Sequence, residues 1–153
     1  MQPDPHWTAY LSALLAPTVA VLGTLVAFQQ WRTARNKLKF DLFQRRLLVY
    51  EAVQSFLASI FRSGKVADEE LVKYLTGVAE VRWLYGAEIS HFLRESVWCN
   101  AIDLQCLHAE LEGLPVGEER TSNVRKQSEI KKVLLSLSKV VDERFEPYLR
   151  LYH

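Results

Sequence analysis

A stretch of 21 residues without a charge, from Thr8 to Phe28, constrains this chain more than any other part of its sequence. About 20 apolar residues in a helix match the roughly 30 Å hydrocarbon layer of a bilayer. A soluble helix of this length normally has a polar face. After Thr8 and Tyr10 at its start, the polar residues here are only Ser12, Thr18 and Thr24, whose hydroxyls can bond to their own helix backbone. The segment therefore predicts a transmembrane helix over about residues 8–28.

The residues that flank this predicted span are distributed asymmetrically. Aromatic rings, which prefer the membrane interface, occur at both ends as Trp7, Tyr10 and Trp31. No Lys or Arg precedes the span, whereas four follow it within eight residues of Trp31: Arg32, Arg35, Lys37 and Lys39. A cleaved signal peptide has the opposite arrangement, so length and flanks favour a membrane span over that alternative and over a buried helix of a soluble assembly. Because basic residues stay in the cytoplasm, the N-terminus is expected outside and the rest of the chain inside.

Small residues inside the span repeat at helical spacing. They form three small-xxx-small pairs along one face, here named the packing stripe: Ala9, Ala13, Ala16, Ala20, Gly23 and Ala27. Small residues let two helix backbones approach closely in lipid. The stripe predicts a seam for self-association or for a partner's helix, and the alternative is the ordinary alanine content of a membrane span. Pro17 is expected to kink the helix or loosen one turn.

The charge of the chain is concentrated in one place. The net charge is only +1, yet residues 32–46 carry a net +5, and the four residues Arg32, Arg35, Lys37 and Lys39 are here named the basic collar. The collar is expected to fix topology and to contact anionic lipid headgroups; an acidic or phosphorylated partner is the alternative. A strip this confined, with balanced charge elsewhere, argues against nucleic-acid binding.

Catalytic and metal-binding motifs are missing from the sequence. The candidate metal ligands lack helical i, i+4 spacing and a C-x-x-C pair, and no nucleophile motif or phosphate loop occurs. Cys99 and Cys106 are seven residues apart, too far along one helix for a disulfide, and are expected to be buried or semi-buried thiols. The sequence thus predicts no enzyme activity, no metal, no cofactor and no small-molecule substrate.

After the span, apolar spacing predicts an all-α cytoplasmic domain. Residues 1–31 form the predicted tail and span, and residues 32–153 the predicted domain, an antiparallel bundle with helices over about 32–62, 67–86, 88–112 and 122–150. Thr121 or Ser122 is expected to cap the last helix. The first helix of this domain has an apolar stripe with a widened face; the stripe is Phe40, Phe43, Leu47, Tyr50, Leu57 and Phe61, and the widening residues are Leu42, Val49, Val53, Phe56 and Ile60.

Two features of the domain leave alternatives open. Asn100 interrupts an apolar stripe, and it either sets the register of the bundle or simply bonds to its neighbours. Trp83, Trp98 and Tyr85 form either a recognition pocket or part of the core.

Three segments resemble a known group of proteins. They are QWRTARNKLKFDLFQRRLLVYEAV at 30–53, VRWLYGAEI at 81–89 and RFEPYL at 144–149. Together they resemble a widespread group of uncharacterised bacterial inner-membrane proteins that share an N-terminal span, a KLxFDLFxxRxxVYE-like segment and a helical remainder. This chain departs from the pattern at Ala87, where the group has proline. The resemblance covers nearly the whole chain, implies a location in the bacterial inner membrane and brings no activity with it.

These observations together predict a non-enzymatic function. The chain is expected to be a membrane-anchored, non-enzymatic interaction or scaffold protein that contacts the lipid bilayer and self-associates, or docks to a membrane-protein partner, through its transmembrane helix. Two alternatives remain open: a membrane-perturbing effector of a bacterial stress or phage-defence system, and a small accessory subunit of a larger membrane complex.

Overall fold

The computed structural model describes residues 7–150, with side chains from Pro17 onward. Over these residues the regular secondary structure is helical throughout, which confirms the all-α prediction. The elements are α1 (Trp7–Ser63), α2 (Asp68–Gly77), α3 (Val81–Tyr85), α4 (Ala87–Phe92), a π-helical turn (Leu93–Trp98), α5 (Cys99–Gly113) and α6 (Glu118–Leu149).

The chain divides into two compact units, Met1–Asp41 and Leu42–His153. The boundary lies inside α1, ten residues after the division expected at residue 31. In the first unit every described side chain, from Pro17 to Asp41, is exposed. The core described below belongs to the second unit.

The core of the second unit is built on the second half of α1. Val49, Val53, Phe56, Leu57 and Ile60 recur at helical spacing and are each at least 97% buried. Val66 in the loop after α1 is also buried, and the later helices supply further core side chains, among them Tyr74, Tyr85, Ile89, Leu93, Val97, Leu104, Leu134, Val141 and Phe145.

The burial of α1 corrects the predicted stripe. Phe40 and Phe61 of the predicted stripe are 54% and 40% exposed, whereas Leu57 of that stripe is fully buried. Of the residues predicted only to widen the face, Leu42 is 41% exposed and the other four form the buried centre: Val49, Val53, Phe56 and Ile60. Helical spacing gives the direction of a side chain around its own helix. Which of several neighbouring apolar directions becomes buried is decided by where the other helices pack.

The helix predicted over 67–86 is interrupted between α2 and α3. Gly77, the last residue of α2, lies against α1 so closely that a Cβ atom there would be 2.4 Å from the Cβ of Ala52. Gly86 then separates α3 from α4 with φ of +93°, a conformation that L side chains rarely adopt. The two glycines thus permit a close helix crossing and a sharp change of chain direction.

The helix predicted over 88–112 is continuous but changes its hydrogen-bond pattern. Phe92 and Trp98 both have helical dihedral angles, so α4, the π-helical turn and α5 run on without a break. At the end of the π-helical turn the amide of Cys99 donates to the carbonyl of Arg94, five residues earlier. Such turns widen a helix locally and occur frequently at functional sites.

Helix α6 begins earlier than predicted. Its first residue is Glu118 rather than a residue near 122, and Gly117 occupies the N-cap position. Thr121 does not cap the helix, because its hydroxyl donates to the carbonyl of Gly117. Glu118 and Glu119 lie in the first turn, where acidic side chains interact favourably with the helix dipole.

Polar side chains fix α6 against α5 and α1. Asn123 and Gln127 are buried, and each side-chain amide donates to the carbonyl of Leu107 in α5, over 3.0 and 3.2 Å. Asp142 accepts from the Tyr50 hydroxyl at 2.8 Å and from the Gln54 amide at 2.6 Å, both in α1. Because each bond joins one specific pair of atoms, these contacts define the register of α6 more narrowly than apolar packing does.

Candidate functional site

The predicted membrane segment lies partly outside the described side chains. Of the packing stripe, Ala9, Ala13 and Ala16 lie outside them, as do the interface aromatics Trp7 and Tyr10. Ala20, Gly23 and Ala27 are described and exposed, and a Cβ atom at Gly23 would have no neighbour within 4 Å. No helix within the described residues has an apolar stretch of the length and hydropathy needed to cross a membrane.

The basic collar is exposed along α1. Its members Arg32, Arg35, Lys37 and Lys39 all point to solvent. The guanidinium of Arg35 lies 5.6 Å from the ring centroid of Trp31, and that ring is 5.9 Å from the ring of Phe28. A cation above an indole face is attracted by the ring quadrupole. Phe28, Trp31 and Arg35 therefore form an aromatic and cationic band at the end of the uncharged segment.

The described part of the chain contains no group of three His, Cys, Asp or Glu side chains placed to hold a metal ion. Cys99 and Cys106 are both exposed, so the expectation of buried thiols was wrong. They share one side of α5, whereas the side that packs carries the buried Ala101 and Leu104. Because seven residues are close to two helical turns, the spacing places the two thiols on the same side of α5. The other helices pack on the opposite side, so the thiols are exposed to solvent.

Asn100 has a local role. Its side-chain amide donates to the carbonyl of Ser96, four residues earlier in the same helix, over 2.7 Å. Asn100 therefore bonds to a neighbour in its own helix, which is the second of the two interpretations drawn from the sequence.

A cleft of about 700 Å³ lies between the α2–α3 region and the π-helical turn. This aromatic cleft is lined by Tyr74, Leu75, Val78, Ala79, Val81, Arg82, Trp83, Ser90, Leu93, Arg94, Glu95, Trp98 and Cys99. Its volume lies in the range of small-molecule sites, about 300–1,000 Å³. Of the three aromatic residues considered from the sequence, Trp83 and Trp98 line it, whereas Tyr85 is in the core.

One wall of the aromatic cleft is an aromatic stack anchored in the core. The buried ring of Phe56 stacks on Tyr74 with centroids 4.5 Å apart, and Tyr74 stacks on Trp98 at 6.4 Å with planes only 10° apart. The Tyr74 hydroxyl donates to the carbonyl of Leu93 in the π-helical turn, and burial raises the pKa of that phenol well above its ordinary value. Trp98, the outer member of the stack, is therefore held by a rigid, uncharged support.

The other end of the aromatic cleft is cationic. Arg82, Ser90, Arg94 and Glu95 line both this cleft and an adjoining pocket of about 190 Å³, so the two cavities share this end. Neither Arg82 nor Arg94 has a side-chain hydrogen bond, ion pair or ring contact within the described residues, whereas Arg144 of α6 pairs with Glu88 of α4. The formal charge of the lining side chains is +1, from two arginines and one glutamate.

A second aromatic cluster joins the three segments that carry the family resemblance. Arg46 donates to the carbonyls of Leu84 and Tyr148, and its guanidinium lies 6.0 Å and 5.7 Å from the rings of Tyr85 and Tyr148. The Tyr85 hydroxyl donates to the carbonyl of Arg46 at 2.6 Å. Burial raises the pKa of Tyr85, and the charge of Arg46 opposes this in part. These bonds tie α1, α3 and the end of α6 together, which gives the cluster a structural role.

The sequence alone identified only part of this geometry. Trp83 and Trp98 were candidates for a pocket, but Arg82 and Arg94 were not, because single arginines on amphipathic helices are ordinary surface residues. Their joint position depends on the break after Gly77 and on the π-helical turn. A scan of protein families, a search of curated proteins and a search of solved structures each found no match to this chain.

Proposed function

We propose that this chain is a membrane-anchored, non-enzymatic interaction protein of the bacterial inner membrane, whose helical second unit lies in the cytoplasm. The observation that carries the proposal is the pattern of residues 8–39, in which 21 uncharged residues are followed by the basic collar. An uncharged helix of this length matches the hydrocarbon layer, and the collar fixes the orientation. On α1 the side chains of Val19, Leu22, Leu25 and Phe28 are 54–59% exposed, which gives the same segment an apolar surface that lipid or another helix would cover.

The packing stripe supports a role in association. A seam of alanine and glycine allows two helices to approach closely, and packing rather than hydrophobicity drives association inside lipid. In this proposal the helix forms a homo-oligomer or docks to a membrane-protein partner, and no substrate is converted. The collar contacts anionic headgroups, with about 1 kcal/mol for each basic residue near the surface.

The oligomeric mass of the full chain in nanodiscs tests this function. The variant Ala16→Leu/Ala20→Leu adds bulk to the packing stripe, and Thr18→Leu, about 180° away on the same helix, is the matched control. We expect a defined oligomer for the wild type and the control, and a smaller species for the double variant. Monomers for all three, without a membrane protein co-purifying from a gentle extract, would refute the interaction role.

The exposed thiols provide a separate test of topology. Cys99 and Cys106 are exposed and lie in the second unit, so a membrane-impermeant maleimide reports which side of the membrane they occupy. In intact spheroplasts we expect labelling only after permeabilisation. Labelling before permeabilisation would place the second unit outside and contradict the proposed orientation. The anchor itself is tested by washing the membranes at alkaline pH, and recovery of the protein in the supernatant of that wash would contradict it.

A further inference from the structure

We propose that the aromatic cleft binds a small organic anion that carries a flat ring, with the ring on Trp98 and the anionic group on Arg82 and Arg94. This site is separate from the membrane anchor and does not depend on the proposed function. The two ends of the cleft differ in chemistry, and each end selects one part of such a ligand.

The ring end is preformed for stacking. Phe56, Tyr74 and Trp98 form a column of rings that runs from the core to the cleft, with Trp98 outermost and successive planes 29° and 10° apart. A flat ligand ring on Trp98 extends this column by one layer, and planar rings stack favourably on aromatic side chains whatever their substituents, because each ring has a π-face. Leu75, Val78 and Leu93 supply apolar contacts beside it.

The cationic end carries two arginines against one carboxylate, that of Glu95. Within the described residues neither Arg82 nor Arg94 forms an ion pair, and the Glu95 carboxylate lies 3.9 Å from the His91 ring. Guanidinium groups match carboxylate and phosphate oxygens through paired N–H donors. Ser90, which lines the same end, adds a hydroxyl that can donate to the same anion.

The exposure of Trp83 agrees with a site that is completed by its ligand. Its side chain is 84% exposed although it lines the cleft, and it directly follows Arg82. An indole left in water forfeits the burial that normally stabilises a tryptophan. A ligand held by Arg82 and Trp98 lies next to this indole and supplies an apolar surface for it.

Binding by the full chain in nanodiscs, measured by saturation-transfer difference NMR against empty nanodiscs, tests the proposal. The probes are two pairs with the same ring and different charge: AMP with adenosine, and indole-3-acetate with indole-3-acetamide. We expect at least one of the two anions to bind with a dissociation constant below about 1 mM, and its neutral counterpart to bind at least tenfold more weakly. Whether AMP or indole-3-acetate binds distinguishes a phosphate from a carboxylate ligand.

Side-chain variants separate the two ends of the site. Arg82→Gln and Arg94→Gln should each weaken binding of the anion about tenfold or more, as expected from the loss of a charge-assisted hydrogen bond. Both substitutions should leave binding of the neutral probe unchanged. Trp83→Leu and Trp98→Leu should weaken the binding of both the charged and the neutral probe of a pair. Arg125→Gln, an exposed arginine outside the cleft, is the matched control and should change neither.

Three results would overturn the proposal. These are no binding of either anion at millimolar concentration, equal binding of charged and neutral probes, and binding that survives both arginine substitutions. Capture of an acidic protein that depends on Arg82 and Trp83, without binding of either probe, would show a protein-docking surface and would also refute the small-ligand site. Because Arg82, Arg94 and Trp83 are exposed, these variants are expected to fold, which their unfolding temperatures verify.

Discussion

The contact between Gly77 and Ala52 gives a prediction whose sign runs against the usual rule. Replacing a helical glycine with alanine normally stabilises a protein by about 0.4–1 kcal/mol, because the unfolded chain loses freedom. At Gly77 the new methyl carbon would lie 2.4 Å from the Cβ of Ala52 and 3.8 Å from its Cα. Carbon atoms in van der Waals contact are about 3.5–4.0 Å apart, so α1 and α2 must separate by more than about 1 Å.

The size of the effect follows from that separation. The methyl carbon meets another short side chain that has no rotamer with which to move aside, so the backbone must shift. Overpacking of this kind costs about 1–3 kcal/mol, and the gain in helix propensity offsets up to about 1 kcal/mol of it. We therefore expect Gly77→Ala to lower the free energy of unfolding by roughly 1–2 kcal/mol, which corresponds to about 4–8 °C in melting temperature at about 4 °C per kcal/mol.

Thermal unfolding of the full chain in detergent, followed by circular dichroism, measures this effect. Gly113→Ala is the matched control, because Gly113 is also the last residue of its helix and a Cβ there would have no neighbour within 4 Å. That variant should be neutral or slightly stabilised. Ala52→Gly removes the opposing methyl, so the double variant Ala52→Gly/Gly77→Ala should recover about 1–2 kcal/mol of the loss through coupling of the two sites.

Two outcomes would refute the reasoning. If Gly77→Ala melts at the same temperature as Gly113→Ala, the helices are not in contact at this point or they separate freely. If the losses of Gly77→Ala and Ala52→Gly simply add in the double variant, the destabilisation does not come from the contact between these two residues.

Two further predictions concern buried polar groups. Because burial raises the pKa of Tyr74 in the folded state, the unfolded chain loses its phenol proton first, near pH 10, and stability falls as the pH rises above that value. Tyr74→Phe should flatten this decline in a series of melting temperatures above pH 10, while losing about 1 kcal/mol at pH 7 with the bond to Leu93; a decline parallel to that of the wild type would contradict the assignment. Asn123→Ala should lower the free energy of urea unfolding by about 1–3 kcal/mol, because the buried Gln127 amide and the Leu107 carbonyl each lose a partner. An unchanged urea midpoint would show that these bonds do not fix α6.

Tertiary packing decided which apolar residues are buried and where the helices break. The spacing of Phe40, Phe61 and Val53 shows how each side chain is directed around α1, but only Val53 is fully buried. The start of α6 at Glu118 was missed for a related reason, since acidic residues and glycines are typical of a loop as well as of a helix N-terminus. The interruption after Gly77 depends on how closely α1 and α2 cross, and helix propensity gives no information about that distance.

The sequence by itself determined the properties that depend on local pattern. Helical periodicity and the absence of strand alternation predicted an all-α chain, because backbone hydrogen bonds and side-chain direction within a helix depend on neighbours three and four residues away. It also provided Trp83 and Trp98 as candidates for a pocket. Only the tertiary structure joined them to Arg82 and Arg94, because a cleft forms where separate helices meet, and a one-residue widening at the π-helical turn changes which side chains face it.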